Sequence, residues 1–291
     1  MNTPRLQQTV SRPAQVTGFG YWSGKDVRVE FRPAPANSGI VFVRTDLEQP
    51  VRIPAKVENR IEIPRRTTLA TANACVEMVE HVLAALAGLQ IDNCDIYVDR
   101  AELPGCDGSS QPFVTALLAA GIEQQDWPVR RLVVPEVTRV GNDDGWVEAR
   151  PAKRSGLSLK YRLDYGSENP IGKQTIELRI TPESFLKELA PARTFLLQNE
   201  AEWLRSRGLG SRVTARDLLV FGDTGPIDNE LRFEDECVRH KALDLLGDLA
   251  LAGCELVGQI VAYRSGHRLN ADLVRVLLSE GQLIEPRRKS A

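Results

Sequence analysis

The chain has 291 residues, long enough for two cores of ordinary domain size. Its 37 Lys and Arg stand against 39 Asp and Glu, with no strongly basic half, which argues against a nucleic-acid partner. No apolar run approaches the ~20 residues of a membrane span, the N-terminus lacks a signal core, and the five cysteines form no C-x-x-C pair, so a monomer in the reducing cytoplasm is the expectation.

Taken in order, Gln15 to Gly24 is punctuated by glycines and predicts a hairpin or bulge. Val27–Phe31 alternates as a strand, and Gly39–Val43 predicts a second. Arg44 to Thr71 is mixed and broken by prolines, which points to a small inserted sheet. A helix carrying Glu80 and His81 follows, then the strand Cys94–Val98, a tight turn at Asp107-Gly108-Ser109 and a helix from Pro112. Gln124 to Pro128 breaks the periodicity and marks a boundary between a first α+β domain, residues 1–126, and a second, residues 127–291. There Arg131–Val134, Trp146–Ala149 and Leu157–Leu163 predict strands, and Ser167 to Thr175 a polar loop. Next come the strand Ile176–Ile180, the helix Pro182–Leu189, a junction at Ala192–Phe195 and the helix Glu200–Arg205. Val238–Leu249 predicts a helix, Val257–Tyr263 a strand, Ser265–Asn270 a loop displaying His267, and Val274–Leu278 part of a last helix. The basic tail, Pro286 to Lys289, reads as a solvated end, with peripheral contact to an anionic membrane as the alternative.

The chemistry concentrates in Val238–Leu249. Apolar residues recur there at three and four, while His240, Asp244 and Asp248 follow one another at four, so an imidazole and two carboxylates share one helical face. A solvated polar face is the plain alternative. The rest of the chain decides against it. Laid over each other at a constant offset, Val79 meets Val238, His81 meets His240, Leu86 meets Leu245 and Gly88 meets Gly247. A strand and a second helix follow in both copies, each helix closing at a glycine (Gly121 and Gly281), so one unit is written twice. Two of only three histidines thus fall at equivalent places, which invites a site between the copies. His81, His240 and Asp244 offer two nitrogens and an oxygen, a set that suits zinc with one position left for water. Glu80, turned about 100° from His81, can act as general base without being a ligand. His267 can act as an imidazolium acid held charged by Asp248. The competing assignment makes His267 the third ligand and places Asp244 behind it.

Val79-Glu80-His81, Ala192-Arg193-Thr194-Phe195, Leu231 to Glu236, the stretch Val238 to Leu249 and Ser265-Gly266-His267-x-Leu269-Asn270 together resemble the motifs of the UDP-3-O-acyl-N-acetylglucosamine deacetylase family, zinc amidases that commit precursors to lipid A. The resemblance covers nearly the whole chain, including Arg32 to Asn37 and Arg44 to Leu47. It implies that His81, His240 and Asp244 bind Zn2+, that Glu80 is the base, and that His267 is the acid or electrostatic catalyst. It implies further that the Thr194 hydroxyl stabilises the oxyanion and that Phe195, Lys241 and Arg264 line the site for a UDP-linked acylated amino sugar. The implied fold is two α+β domains whose helices are sandwiched between two outer sheets.

Around the substrate the chain departs from the family pattern. Trp22 stands where the glycine-rich opening motif usually has a His, the loop Gly208 to Arg212 is shortened, and Arg65 and Arg66 precede Thr67. Two alternatives remain open: a related amidase acting on another N-acetylated nucleotide sugar or glycolipid, and a non-catalytic nucleotide-sugar binder. The second would be expected to lose Glu80, His267 or a ligand, and none is lost.

Overall fold

The computed structural model describes residues 5–153 and 155–285; the basic tail at 286–289 lies outside the described residues. The first main sheet has the strand order Ala14–Phe19, Asp26–Pro33, Cys94–Val98, Ile40–Arg44, Val51–Pro54. Its central strand runs antiparallel to Asp26–Pro33 and parallel to Ile40–Arg44. Within Asp26–Pro33, Val27, Val29 and Phe31 turn inward while Arg28 stays exposed, the two-residue alternation of a sheet with one wet face.

The second sheet repeats this plan: Thr138–Asn142, Gly145–Arg150, Glu255–Tyr263, Leu157–Asp164, Lys173–Arg179, with the same antiparallel and parallel senses around its central strand. Arg131–Val133 and Gln282–Ile284 extend it beside the start of Glu255–Tyr263. The two sheets thus share one strand order, in an α+β fold.

Five helices of nine residues or more are found among the described residues: α1 (Glu80–Gly88), α2 (Gln111–Ala120), α3 (Gln198–Ser206), α4 (Glu236–Leu249) and α5 (His267–Glu280). Helix α2 packs on the first sheet, α4 and α5 pack on the second, and α1 packs against α4 between them. All of α4 except Arg239 and Lys241 is buried, because sheet, α1 and α5 surround it. At the α1–α4 crossing a Cβ on Gly247 would sit 2.1 Å from the Glu80 carbonyl oxygen, so only glycine lets the backbones come this close.

Gln124 to Pro128, where the periodicity breaks, lies within a strand, Ile122–Pro128, which pairs antiparallel with Leu6–Val10. Its polar side chains bond across to other segments: Gln125 accepts from Asn93 at 2.7 Å and donates to the Ala34 carbonyl at 2.8 Å. Two local expectations need correcting. The inserted sheet is shorter than expected. Val51–Pro54 joins the first main sheet, and only Arg60–Ile61, Thr68–Thr71 and Ala74–Glu77 form a separate one, leading directly into α1. Finally, His267 is the first residue of α5 rather than part of a loop, with Gly266 in extended backbone before it.

Candidate active site

The contact of α1 with α4 brings His81 and His240 together, their rings 5.0 Å apart and nearly perpendicular at 86°. Asp244, one turn beyond His240, places Oδ1 3.3 Å from His240 Nε2 and 3.6 Å from His81 Nε2. One donor atom from each of the three residues falls within 4.8 Å of the others, and all three residues are buried. His240 Nδ1 lies 3.1 Å from the Ala192 carbonyl, so that nitrogen carries the proton and Nε2 presents its lone pair. Burial drives the His240 pKa down to about 3, which keeps the ring neutral. Burial also opposes charge on Asp244, but the Lys241 ammonium, 2.6 Å from Oδ2, counters it, and the carboxyl stands well below its usual range.

Asp244 Oδ1 is buried and has no hydrogen-bond partner, with the His240 Nε2 lone pair facing it and His81 Nε2 3.6 Å away. A buried carboxylate oxygen without a donor is costly. A divalent cation on the three atoms removes that cost, so the donor set fits zinc. His267 stands outside this group, with Nδ1 2.8 Å from Asp248 Oδ2.

Beside the cluster lies a second set of ionisable groups. Glu80 opens α1 and is buried, and burial raises its pKa. Burial and the start of a helix both disfavour an imidazolium at His267. Asp248, together with Glu80 and Asp244, outweighs burial, and the His267 pKa rises to about 9. Asp248 is fully buried, and its Oδ2 also accepts from Asn270 Nδ2 at 2.8 Å. Its Oδ1 accepts from the Thr67 hydroxyl at 2.6 Å, and the Thr67 amide donates to Glu80 Oε2 at 3.0 Å. The sequence reading missed Thr67. A lone threonine after two arginines carries no local signal, and its partners lie 13 and 181 residues away.

A cavity of 1060 Å³ opens over both sets. Helix α3 and the segment after it contribute apolar wall through Ala201, Leu204, Leu209 and Val213. Thr194 lines the cavity, its amide bonded to the Gly108 carbonyl at 2.8 Å. Phe195 stands edge-on to the His240 ring at 6.3 Å. Lys241 lines the cavity while its ammonium bonds Asp244, and Arg264, exposed and in left-handed backbone at φ 48°, borders it without an ion pair to any described residue. Trp22 forms part of the wall, with the Arg66 guanidinium 4.7 Å over its ring. Leu209 and Gly210 of the shortened loop also reach the cavity, and Arg212 ties that loop back to Asp26 at 2.7 Å.

The sequence was compared with known proteins. The model of the LpxC family, UDP-3-O-acyl N-acetylglycosamine deacetylase, matches residues 7–279. Proteins named UDP-3-O-acyl-N-acetylglucosamine deacetylase from Shewanella violacea and Shewanella baltica are each 40% identical, over 284 and 282 residues. The protein of that name from Shewanella oneidensis is 39% identical over 282 residues. Each alignment covers 94% of this chain and 90% of the relative. Similarity over this length includes both helices of the buried cluster and the strands that carry them, and on it the chain belongs to the UDP-3-O-acyl-N-acetylglucosamine deacetylase family.

Proposed function

We propose that the chain is a zinc-dependent deacetylase that hydrolyses the N-acetyl amide of UDP-3-O-acyl-N-acetylglucosamine on the route to lipid A. The observation that carries this is the Asp244 oxygen, buried without a donor between two imidazole nitrogens and flanked by Glu80 and His267. His81, His240 and Asp244 would hold the metal. When bound there, zinc supplies Lewis acidity, polarising a carbonyl and bringing the pKa of water to about 7.

The chain's own groups do the rest. Glu80, with Oε2 held by Thr67, takes a proton from the attacking water on its other oxygen. The Thr194 hydroxyl donates to the oxyanion that develops on the acetyl carbonyl. As the C–N bond breaks, the His267 imidazolium, kept charged by Asp248, gives its proton to the leaving nitrogen. Acetate and the free amine result. Phe195, Lys241 and Arg264 would contact the nucleotide sugar from the cavity wall. Five free cysteines fit a reducing cytoplasm, and no described helix is long and apolar enough to cross a membrane.

Acetate release from UDP-3-O-acyl-N-acetylglucosamine by the zinc-loaded protein tests the proposal. No release by a fully loaded, folded protein would refute it. Trp22 under Arg66 favours a second reading, the same amide chemistry on a differently acylated or differently substituted sugar. Release from such an analogue alone would establish that reading.

A further inference from the structure

Thr67 commits every polar group it has to the two helices that carry the site. Its amide donates to Glu80 Oε2, its carbonyl accepts from the Val79 amide at 3.3 Å, and its hydroxyl donates to Asp248 Oδ1. The residue is fully buried. Val79 precedes α1 without a side-chain cap, so the first turn of that helix is held by a residue outside it. Asp248 belongs to α4. A threonine hydroxyl can close a bond within its own segment. This one joins the small sheet, α1 and α4 at the point where Glu80 and His267 face the cavity.

We propose that Thr67 is a positioning residue for the reaction, holding the Glu80 carboxylate and the Asp248–His267 pair in one fixed geometry. The inference rests on the hydrolase reading above. With Oε2 occupied by the Thr67 amide, Glu80 has one oxygen left to receive a proton. Asp248 receives three donors: Thr67 on Oδ1, and His267 with Asn270 on Oδ2. Three donors fix the plane of the carboxylate, and with it the direction of the imidazole. Removing the hydroxyl frees that plane. It also leaves the charge on Asp248 less shared, so the imidazolium proton is held more tightly. The charged groups facing His267 are Asp248 and Asp244 from α4 and Glu80 from α1; the Thr67 segment adds only its hydroxyl.

The test is Thr67→Val, which keeps the amide, the carbonyl and the shape and removes the hydroxyl, beside Thr67→Ser, which keeps the hydroxyl. On the zinc-loaded full chain with UDP-3-O-acyl-N-acetylglucosamine, Thr67→Val should lower kcat about ten- to a hundredfold, the size expected for a hydrogen bond to a charged group. KM and zinc content should hold, and the alkaline limb of the pH profile should move to higher pH. Thr67→Ser should restore most of the rate. Thr67→Ala, which adds no methyl, serves the same comparison if the valine variant folds poorly. A wild-type kcat and pH profile without the hydroxyl overturns the proposal. So does a loss that serine fails to restore, or one that tracks only lost zinc or lost folded protein. Acetate release by the wild-type chain measured alongside separates the two levels. No release from the folded, zinc-loaded wild type sinks the hydrolase reading itself, whereas wild-type release with no loss in Thr67→Val sinks only the role of Thr67.

Discussion

Replacing Asp248 by Asn should release the proton that the native protein holds on His267. Burial opposes the imidazolium, but Asp248, 2.8 Å from Nδ1, outweighs it together with Glu80 and Asp244, and the pKa stands at about 9 against an ordinary 6.5. At about 1.4 kcal/mol per unit, the shift corresponds to about 3 kcal/mol. Asparagine keeps the size of the side chain and removes its charge. Burial is then opposed only by Glu80 and Asp244, and His267 should titrate at or below its ordinary value. The same interaction contributes to folding stability. Because the folded-state pKa is raised, the contribution is complete below about pH 6.5 and is lost as pH rises through about 9. Asp248→Asn should flatten stability over that window. The chain has only three histidines, so NMR titration of the imidazole ring protons can resolve each, with His267→Ala identifying the signal. The metal-free protein is the sample to use, since a cation beside Asp244 repels the imidazolium. Denaturant unfolding at both ends of the window reads the stability. A His267 that titrates near 6.5 in the native protein, or unchanged in Asp248→Asn, refutes the reasoning.

Three further outcomes are expected. His240→Ala should retain the fold by circular dichroism and lose most of its zinc by metal analysis; full occupancy would remove His240 from the ligand set. Gly247→Ala drives a methyl into the Glu80 carbonyl and should cost about 1–3 kcal/mol of stability while lowering kcat through displacement of Glu80. A variant with native melting temperature and rate would show that the helices can separate freely. Trp22→His should reorder preference among substrates of different acyl length, since apolar pocket contacts discriminate by about 1–3 kcal/mol per methylene. Unchanged preference, with the usual long-acyl substrate handled as well as before, would show that Trp22 does not shape the pocket.

The duplicated pattern made the paired helices and the strand after each legible, because Val79, His81, Leu86 and Gly88 recur with the same spacing in Val238, His240, Leu245 and Gly247. Helical spacing also placed Asp244 and Asp248 on the face of His240, and the structure has both buried beside it. Three features escaped for different physical reasons. Ile122–Pro128 carries the Gln125 amide, which bonds sideways into Asn93 and Ala34, so its polarity hid a strand. His267 begins α5 behind a glycine that supplies no side-chain cap, so nothing marked the helix start. Thr67 acts through its backbone as much as its hydroxyl, and a main-chain donor has no signature in residue type.

The glycine contact between α1 and α4 juxtaposes two copies of one unit that have diverged unequally. At the offset that superposes His81 on His240, Asp244 corresponds to Ala85, Asp248 to Leu89, and Glu80 to Arg239. Two units of the first kind would face each other with two imidazoles and two glutamates but no aspartate ligand. Two of the second kind would present two imidazoles and two aspartates, filling a tetrahedral ion completely and leaving water no place, as in a purely structural metal site. On the proposed roles, only the unlike pair has three ligands, an open fourth position and a base beside it. Loss of symmetry after duplication, rather than duplication itself, is then what separates holding an ion from using one.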